Sequence, residues 1–292
     1  MHPALFTTAL ALGAFACNSL LARAALSGHA IDAASFTAIR LASGAAALAG
    51  LLWLRQGRRG MPALAGNRPS ALAGNWPSAI CLFGYALGFS WAYLRLGAAT
   101  GALILFGAVQ ATMIAWGVIA RDRPAGLELA GLAVAFAAFL YLLLPGLAAP
   151  DPLGSLSMVG AGVAWGAYSV RGRATADALG DTAGNFVRAG LICVPLLPFA
   201  VMGHIEASGV GLALVSGVVT SGLGYAVWYR ALPRLSTIQA GVVQLLVPVL
   251  ASFGAVVLLG ETLTWRLALC SLFVLGGVAV ALLARSRRMS VG

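Results

Sequence analysis

Phe15-Ala16-Cys17-Asn18-Ser19, in the first apolar run of the chain, has a counterpart in Trp165-Gly166-Ala167-Tyr168-Ser169. The match extends outward at a constant offset, since Arg23 and Phe36 recur 150 positions on as Arg173 and Phe186. A spacing kept from one apolar run, through a connection, into the next marks a duplicated unit. Each copy holds five apolar stretches of membrane length. Five is odd, so the second copy must enter a bilayer from the opposite side, which relates the two copies by an axis in the membrane plane. The expected fold is therefore an all-α polytopic membrane protein of ten transmembrane helices. Its two inverted five-helix repeats are read as residues 1–150 and 151–292.

Composition supports a membrane protein independently of the repeat. Hydrophobic residues make up 61% of the chain and charged residues only 9%, against roughly 25% charged in an ordinary soluble domain. Runs of about 20 apolar residues predict helices near 4–22, 32–54, 77–95, 98–120, 127–144, 153–171, 182–203, 208–229, 236–258 and 264–284. The connections are short and leave no room for an extramembrane domain.

The net charge of +10 comes from 18 arginines, with no lysine. Its placement decides its meaning. Arg55, Arg58, Arg59 and Arg68 follow helix 2, Arg121 and Arg123 helix 4, Arg171 and Arg173 helix 6, Arg230 and Arg234 helix 8, and Arg285, Arg287 and Arg288 helix 10. The intervening connections carry only Arg23, Arg95 and Arg266. Arginines that alternate with the helix count are a topology signal, and the positive-inside rule puts both termini in the cytoplasm. Binding to nucleic acid is not expected. The apolar run ending Leu21-Ala22-Arg23-Ala24-Ala25 lacks a preceding basic segment, so it is expected to stay as helix 1 rather than be cleaved.

Several features have ordinary explanations. Ala63-Leu64-Ala65-Gly66-Asn67 repeats as Ala71-Leu72-Ala73-Gly74-Asn75, a small duplication in a tolerant connection. Cys17, Cys81, Cys193 and Cys270 fall inside apolar runs without metal spacing or a disulfide framework. Gly pairs such as Gly84/Gly88, Gly97/Gly101 and Gly162/Gly166 suit close helix contact. Pro195, Pro198 and Pro248 each remove a backbone donor and predict local bends.

Catalytic signatures are missing: there is no Ser/His/Asp set, no metal-binding His pair and no phosphate-binding loop. Neither an enzyme nor a cofactor or metal site is expected. Seven of the eight acids (Asp32, Asp122, Glu128, Asp151, Asp177, Asp181 and Glu206) lie at helix ends or in connections, and the eighth, Glu261, closes helix 9. A proton pump would need a buried acid.

The middle of the chain's helices is instead aromatic and neutral polar. Trp53, Trp76, Trp91, Trp116, Trp228 and Trp265 lie toward helix ends, as an interfacial belt would. Trp165 sits near a helix centre, and Tyr168 and Ser169 share its face at i+3 and i+4. Phe15, Asn18 and Ser19 occupy the equivalent face of helix 1. These two faces either line one central substrate cavity or fill the core, with the indole N–H bonded to a neighbour. Gln110 and Gln244, at related places in the two repeats, are either substrate contacts or interhelical hydrogen bonds. Tyr85 with Phe89, and Ser221 with Tyr225, are further i, i+4 pairs that suit an inward face. Arg40 and Arg188 lie inside helices 2 and 7, either paired with backbone carbonyls or holding a substrate carboxylate.

Trp165-Gly166-Ala167-Tyr168 in the first helix of a repeat, Ser236-Thr237 opening helix 9, Pro248 within it and Leu259-Gly260-Glu261 at its end together resemble the drug/metabolite transporter superfamily, EamA type. The likeness covers about 5–145 and 153–285. The first repeat departs from the pattern, with Gln110 or Met113 in place of a proline and Arg121-Asp122-Arg123 in place of Leu-Gly-Glu. Within the superfamily the chain is most similar to YddG-type bacterial exporters of aromatic and other neutral amino acids. The resemblance implies a bacterial inner-membrane transporter working by alternating access, with the helix 3–4 and helix 8–9 hairpins opening opposite ends of a central cavity. Its partners would be a small-molecule substrate and the lipid bilayer, with a monomer compatible and the oligomeric state open. Export of drugs or other metabolites is the alternative within transport, and a lipid-modifying envelope protein the alternative outside it.

Overall fold

The structure, a computed structural model, describes residues 3–58, 73–120, 126–143, 150–196, 198, 203–262 and 264–291. Arg59, Arg68, Arg121, Asp122, Arg123 and most of the Ala63–Asn75 duplication lie outside them. The described chain is helical, with no sheet. Helix α1 spans Pro3–Ser27, α2 Ala33–Arg58, α3 Trp76–Tyr93, α4 Ala98–Ile119 and α5 Leu127–Leu143. Helix α6 spans Pro152–Gly172, and α7 Ala178–Cys193 with a 3-10 turn at Val194–Leu196. Helix α8 begins at Ala207, passes through a π-helical stretch at Ser216–Leu223 and ends in a 3-10 turn at Leu232–Arg234. Helix α9 comprises Thr237–Val243, a 3-10 turn at Gln244–Leu246 and Val247–Leu259, and α10 spans Trp265–Val291.

The bends fall where the sequence places its prolines. Pro195 sits in the 3-10 turn ending α7, and Pro248 is the second residue after the 3-10 turn of α9. Proline cannot donate to the helical ladder, so the turn before it tightens. The sequence gives no warning of the π stretch in α8, which contains no proline.

Five segments among the described residues are long and apolar enough to cross a membrane: Phe6–Ser27, Ala33–Arg55, Ala98–Gly117, Ala207–Arg234 and Gln239–Leu259. Helices α3 and α6, rich in Gly, Ser and aromatic residues, are not among these five. They lie together within the bundle, and α6 also packs on α4. At Gly162 an added Cβ would stand 2.5 Å from the Leu105 carbonyl oxygen, so only glycine allows α4 and α6 this approach.

Helix packing follows a two-fold pattern. Helix α2 packs on α7 and α5 on α10; α3 packs on α6 as α1 does on α8; α4 packs on α6 as α9 does on α1. Exchanging each helix for the one five places on leaves this set of contacts unchanged. At the α5–α10 crossing, Gly131 faces Gly277, and a Cβ added at Gly131 would stand 2.5 Å from the Gly277 carbonyl oxygen. The repeat-equivalent rings of Phe15 and Trp165 also meet, edge to face at 5.2 Å.

Connectivity gives the bundle two ends. The end carrying both termini holds Arg55, Arg171, Arg173, Arg230 and Arg234, and the opposite end holds Arg23, Arg95 and Arg266. Large exposed side chains such as Phe253, Leu258, Leu156 and Leu272 form the outer apolar surface. Trp53, Trp76, Trp91, Trp116 and Trp265 are exposed, as an interfacial belt requires. Trp228 is a correction to that reading: it is buried, and its indole N–H donates to Ser169 Oγ at 3.2 Å. Its place near a helix end hid this, because the Gly224–Ala231 part of α8 packs on α1 and α7 and the indole reaches α6.

Candidate functional site

Where α1, α3, α6 and α8 converge, the rings of Phe15, Tyr85, Trp165 and Tyr225 pack against one another. Trp165 lies 4.5 Å from Tyr225, 4.9 Å from Tyr85 and 5.4 Å from Tyr168, between ring centroids. It is 2% exposed, and its indole N–H donates to Gln244 Oε1 at 2.7 Å. The Gln244 amide nitrogen donates in turn to the Ala240 carbonyl at 2.8 Å. The rings fill the centre in this conformation, so Trp165 makes the indole bond expected of a core residue while standing among the groups named as cavity-lining.

Asn18 organises the polar side of the cluster. Its Nδ2 donates to Tyr85 Oη at 3.2 Å, and its Oδ1 accepts from Ser216 Oγ at 2.7 Å and Thr220 Oγ1 at 3.0 Å. Both hydroxyls come from the π stretch of α8. Wider i→i+5 turns bring residues four and five apart onto one face, which is why Ser216, Thr220, Ser221 and Tyr225 all point inward.

Ser19, Tyr168 and Ser169 sit at the edges. Ser19 Oγ donates to the Phe15 carbonyl at 3.4 Å, and Ser169 Oγ accepts from Trp228. Tyr168 stacks on Tyr229 at 4.8 Å. Tyr229 also borders a recess of about 540 Å³ at the terminal end, beside Arg55, Asp177 and Arg230. Gln110 is not brought to the cluster. It lines a separate apolar cavity of about 300 Å³ with Ile114, Leu132, Phe136, Leu245 and Val274. Its match to Gln244 in the sequence does not carry over because only α9 is broken by a 3-10 turn at that depth.

Arg40, left open by the sequence, lies at the heart of the cluster. It is 1% exposed. Its Nε donates to Ser221 Oγ at 2.8 Å, and its Nη2 to Tyr85 Oη at 3.0 Å and Tyr225 Oη at 2.5 Å. The guanidinium carbon stands 5.1 Å from the centre of the Tyr85 ring and 4.9 Å from that of Phe89. Arg188 differs: its Nη1 donates to the carbonyls of Ala73 at 2.7 Å and Gly184 at 3.0 Å, near the terminal end. An arginine eight residues into an apolar helix was the available signal for Arg40. Its partners were not readable, because they depend on the π stretch of α8.

Each end of the bundle carries a clamp built on a repeat-equivalent arginine. At the opposite end Arg23 donates from Nε to Glu261 Oε1 at 3.2 Å and from Nη1 to the Tyr93 carbonyl at 3.0 Å. Glu261 also accepts from the Ala98 backbone N–H at 2.9 and 3.0 Å, capping α4 at the α3–α4 hairpin. Gly260, at φ +64°, turns the chain out of α9 so that Glu261 reaches across. At the terminal end Arg173 donates to the Leu235 carbonyl at 3.2 Å and to Thr237 Oγ1, holding the α8–α9 hairpin. Arg55 adds a two-pronged bond to Asp177 at 2.8 and 2.7 Å, and its guanidinium holds that carboxyl below the usual carboxylate range. Among the described residues, no group of three His, Cys, Asp or Glu side chains is placed to hold a metal ion.

Comparison with known proteins places this architecture. The chain is 50% identical over 286 residues to the uncharacterized protein PA1977 of Pseudomonas aeruginosa, covering 97% of this chain and 96% of that protein. A solved crystal structure with 22% sequence identity superposes with a TM-score of 0.69, covering 95% of this chain and 98% of the other. Residues 152–283 match the model of the EamA-like transporter family. The chain is therefore a multi-pass membrane protein that belongs to the EamA-like transporter family of the drug/metabolite transporter superfamily.

Proposed function

We propose that this transporter exports small amphipathic metabolites, above all aromatic and other neutral amino acids, from the bacterial cytoplasm across the inner membrane. Both termini are cytoplasmic in this reading, and 1–150 and 151–292 are the two inverted repeats. The observation that carries it is the convergence of Phe15, Tyr85, Trp165 and Tyr225 with Asn18 at the meeting point of four helices. Rings offer an apolar side chain a stacking surface, and neutral donors and acceptors satisfy a polar main chain without a fixed negative charge.

Transport by alternating access requires the two ends to open in turn. The Arg23–Glu261–Ala98 and Arg173–Leu235–Thr237 clamps hold the hairpins at opposite ends, and both are closed around the packed centre. Release of one clamp at a time, with rotation of the Trp165 and Tyr225 rings, would admit a substrate between α1, α3, α6 and α8. The charge at the centre belongs to Arg40, which opposes an organic cation, so export of cationic drugs is the weaker reading.

The test is exchange of radiolabelled tryptophan in proteoliposomes against a panel of unlabelled amino acids. Aromatic and large neutral amino acids should compete, and acidic and basic ones should compete poorly. Absence of exchange with every amino acid would contradict the proposal.

A further inference from the structure

Arg40 presents an electrostatic problem that the protein alone does not solve. Its guanidinium is buried, and arginine stays protonated in such surroundings. Arg23 pairs with Glu261, Arg55 with Asp177, Arg95 with Asp151 and His204 with Glu206, and Arg40 is in none of these ion pairs. Its Nε and Nη2 are occupied by Ser221, Tyr85 and Tyr225, all neutral. Its Nη1, also buried, has no hydrogen-bond partner. A buried charge is costly unless paired, and an orphaned donor on it adds to the cost. The neutral partners orient the guanidinium plane against Tyr85 and Phe89 and leave one nitrogen free.

We infer that Arg40 is the anion-binding group of the substrate site: its free Nη1 takes the carboxylate of the transported molecule while Trp165, Tyr225 and Phe15 hold an aromatic or apolar remainder. This inference rests on the central cluster being the substrate site, and it goes beyond that reading by naming the feature a substrate must have. Recognition is of the carboxylate. The ammonium group of an amino acid meets only neutral acceptors such as Asn18 Oδ1 and the tyrosine hydroxyls, and no fixed anion among the described residues. An aromatic carboxylate without an amine should therefore bind about as well as the amino acid, whereas the matching amine should not. Tyr225 Oη donates to Tyr85 Oη at 3.0 Å and Asn18 Nδ2 donates to the same oxygen at 3.2 Å, so the two hydroxyls are held in place against the guanidinium.

The experiment measures ligand-induced thermal stabilisation of the purified full-length protein by tryptophan, indole-3-propionate and tryptamine, alongside tryptophan exchange in proteoliposomes. Tryptophan and indole-3-propionate should stabilise the protein at similar concentrations, with tryptamine weaker by about tenfold or more, since hydrogen bonds to charged groups are worth at least that factor. In Arg40→Gln, which keeps a donor for the tyrosines and removes the charge, the unliganded protein should melt no lower than the original and the preference for carboxylates should vanish. Arg40→Lys should retain a reduced preference, because a point charge lacks the planar fork of arginine. Tryptamine matching tryptophan, an unchanged preference in a folded Arg40→Gln, or no stabilisation by either carboxylate would overturn the inference. Carboxylate-selective stabilisation without tryptophan exchange would instead overturn the amino-acid export reading and leave the Arg40 site standing.

Discussion

Trp165 donates its indole N–H to Gln244 while the rings of Phe15, Tyr85, Tyr168 and Tyr225 pack around it, so its ring and its N–H have separable roles. Trp165→Phe keeps a ring but leaves Gln244 Oε1 without that donor. Interhelical hydrogen bonds in membrane proteins contribute about 1 kcal/mol, so the melting temperature should fall by only a few degrees. Exchange of tryptophan should fall more than exchange of alanine. Equal loss for both substrates would show that the residue only packs, and the ratio of the two rates in the folded variant decides it. Spacing alone identified Trp165, Tyr168 and Ser169 on one face and Phe15, Asn18 and Ser19 on its counterpart, because a helical period needs no tertiary knowledge. Gln110 was grouped with Gln244 on repeat position, yet it faces a lateral apolar cavity. Trp228 passed for an interfacial residue, since distance from a helix end says nothing about which neighbours cover it.

The two hairpin clamps are where helix ends become moving parts. Glu261 caps α4 and pairs with Arg23. Glu261→Ala removes both contacts, so the α3–α4 hairpin should open more often. With the four native cysteines replaced, a cysteine at Ala98 should react faster with a membrane-impermeant maleimide in Glu261→Ala than with Glu261 in place. Unchanged labelling would show that the clamp does not control that end. The Arg55–Asp177 latch makes a pH prediction. Because Arg55 lowers the Asp177 pKa, the latch contributes fully above the ordinary carboxylate value and is lost only as pH falls through the depressed one. The contribution is about 1 kcal/mol or less, since both groups are partly exposed. The melting difference from Asp177→Asn should be flat between about pH 5 and pH 8 and shrink below about pH 4. A difference that titrates near neutrality would contradict the assignment. The limits of α3 at Trp76–Tyr93 and α6 at Pro152–Gly172 were legible to within two residues, because Asn75 and Asp151 are N-caps followed by Pro within the first turn, whereas α1 runs to Ser27 and α10 to Val291, beyond the expected ends at 22 and 284. The π stretch of α8 was not legible. It arises where Gly217 and Gly222 let α8 close on α2 around Arg40 and Gly44, a contact between distant parts of the chain.

At the scale of the whole molecule, exchange of α1–α5 with α6–α10 preserves the packing, and the arginines gather at the end that carries both termini. Reporter fusions after Arg288 and in the connection following Arg55 should both read cytoplasmic, and a periplasmic signal from either would contradict the inverted arrangement. The proposed duplication was visible in the sequence as Ser19, Arg23 and Phe36 in register with Ser169, Arg173 and Phe186. The packing of α5 on α10 through Gly131 and Gly277 was not, since glycine contacts carry no side-chain pattern. The same arrangement brings the aromatic cluster together around an arginine, and no acid is among the described residues named in its hydrogen bonds and ring contacts, so no proton relay through a carboxylate is expected there; Glu128, also buried, stands in the first turn of α5. Proteoliposomes preloaded with tryptophan, with any pH difference collapsed by an ionophore, test this most directly. The account predicts release of tryptophan down its own gradient at an undiminished rate; strict dependence on an imposed proton gradient, or faster release of an organic cation than of tryptophan, would contradict it.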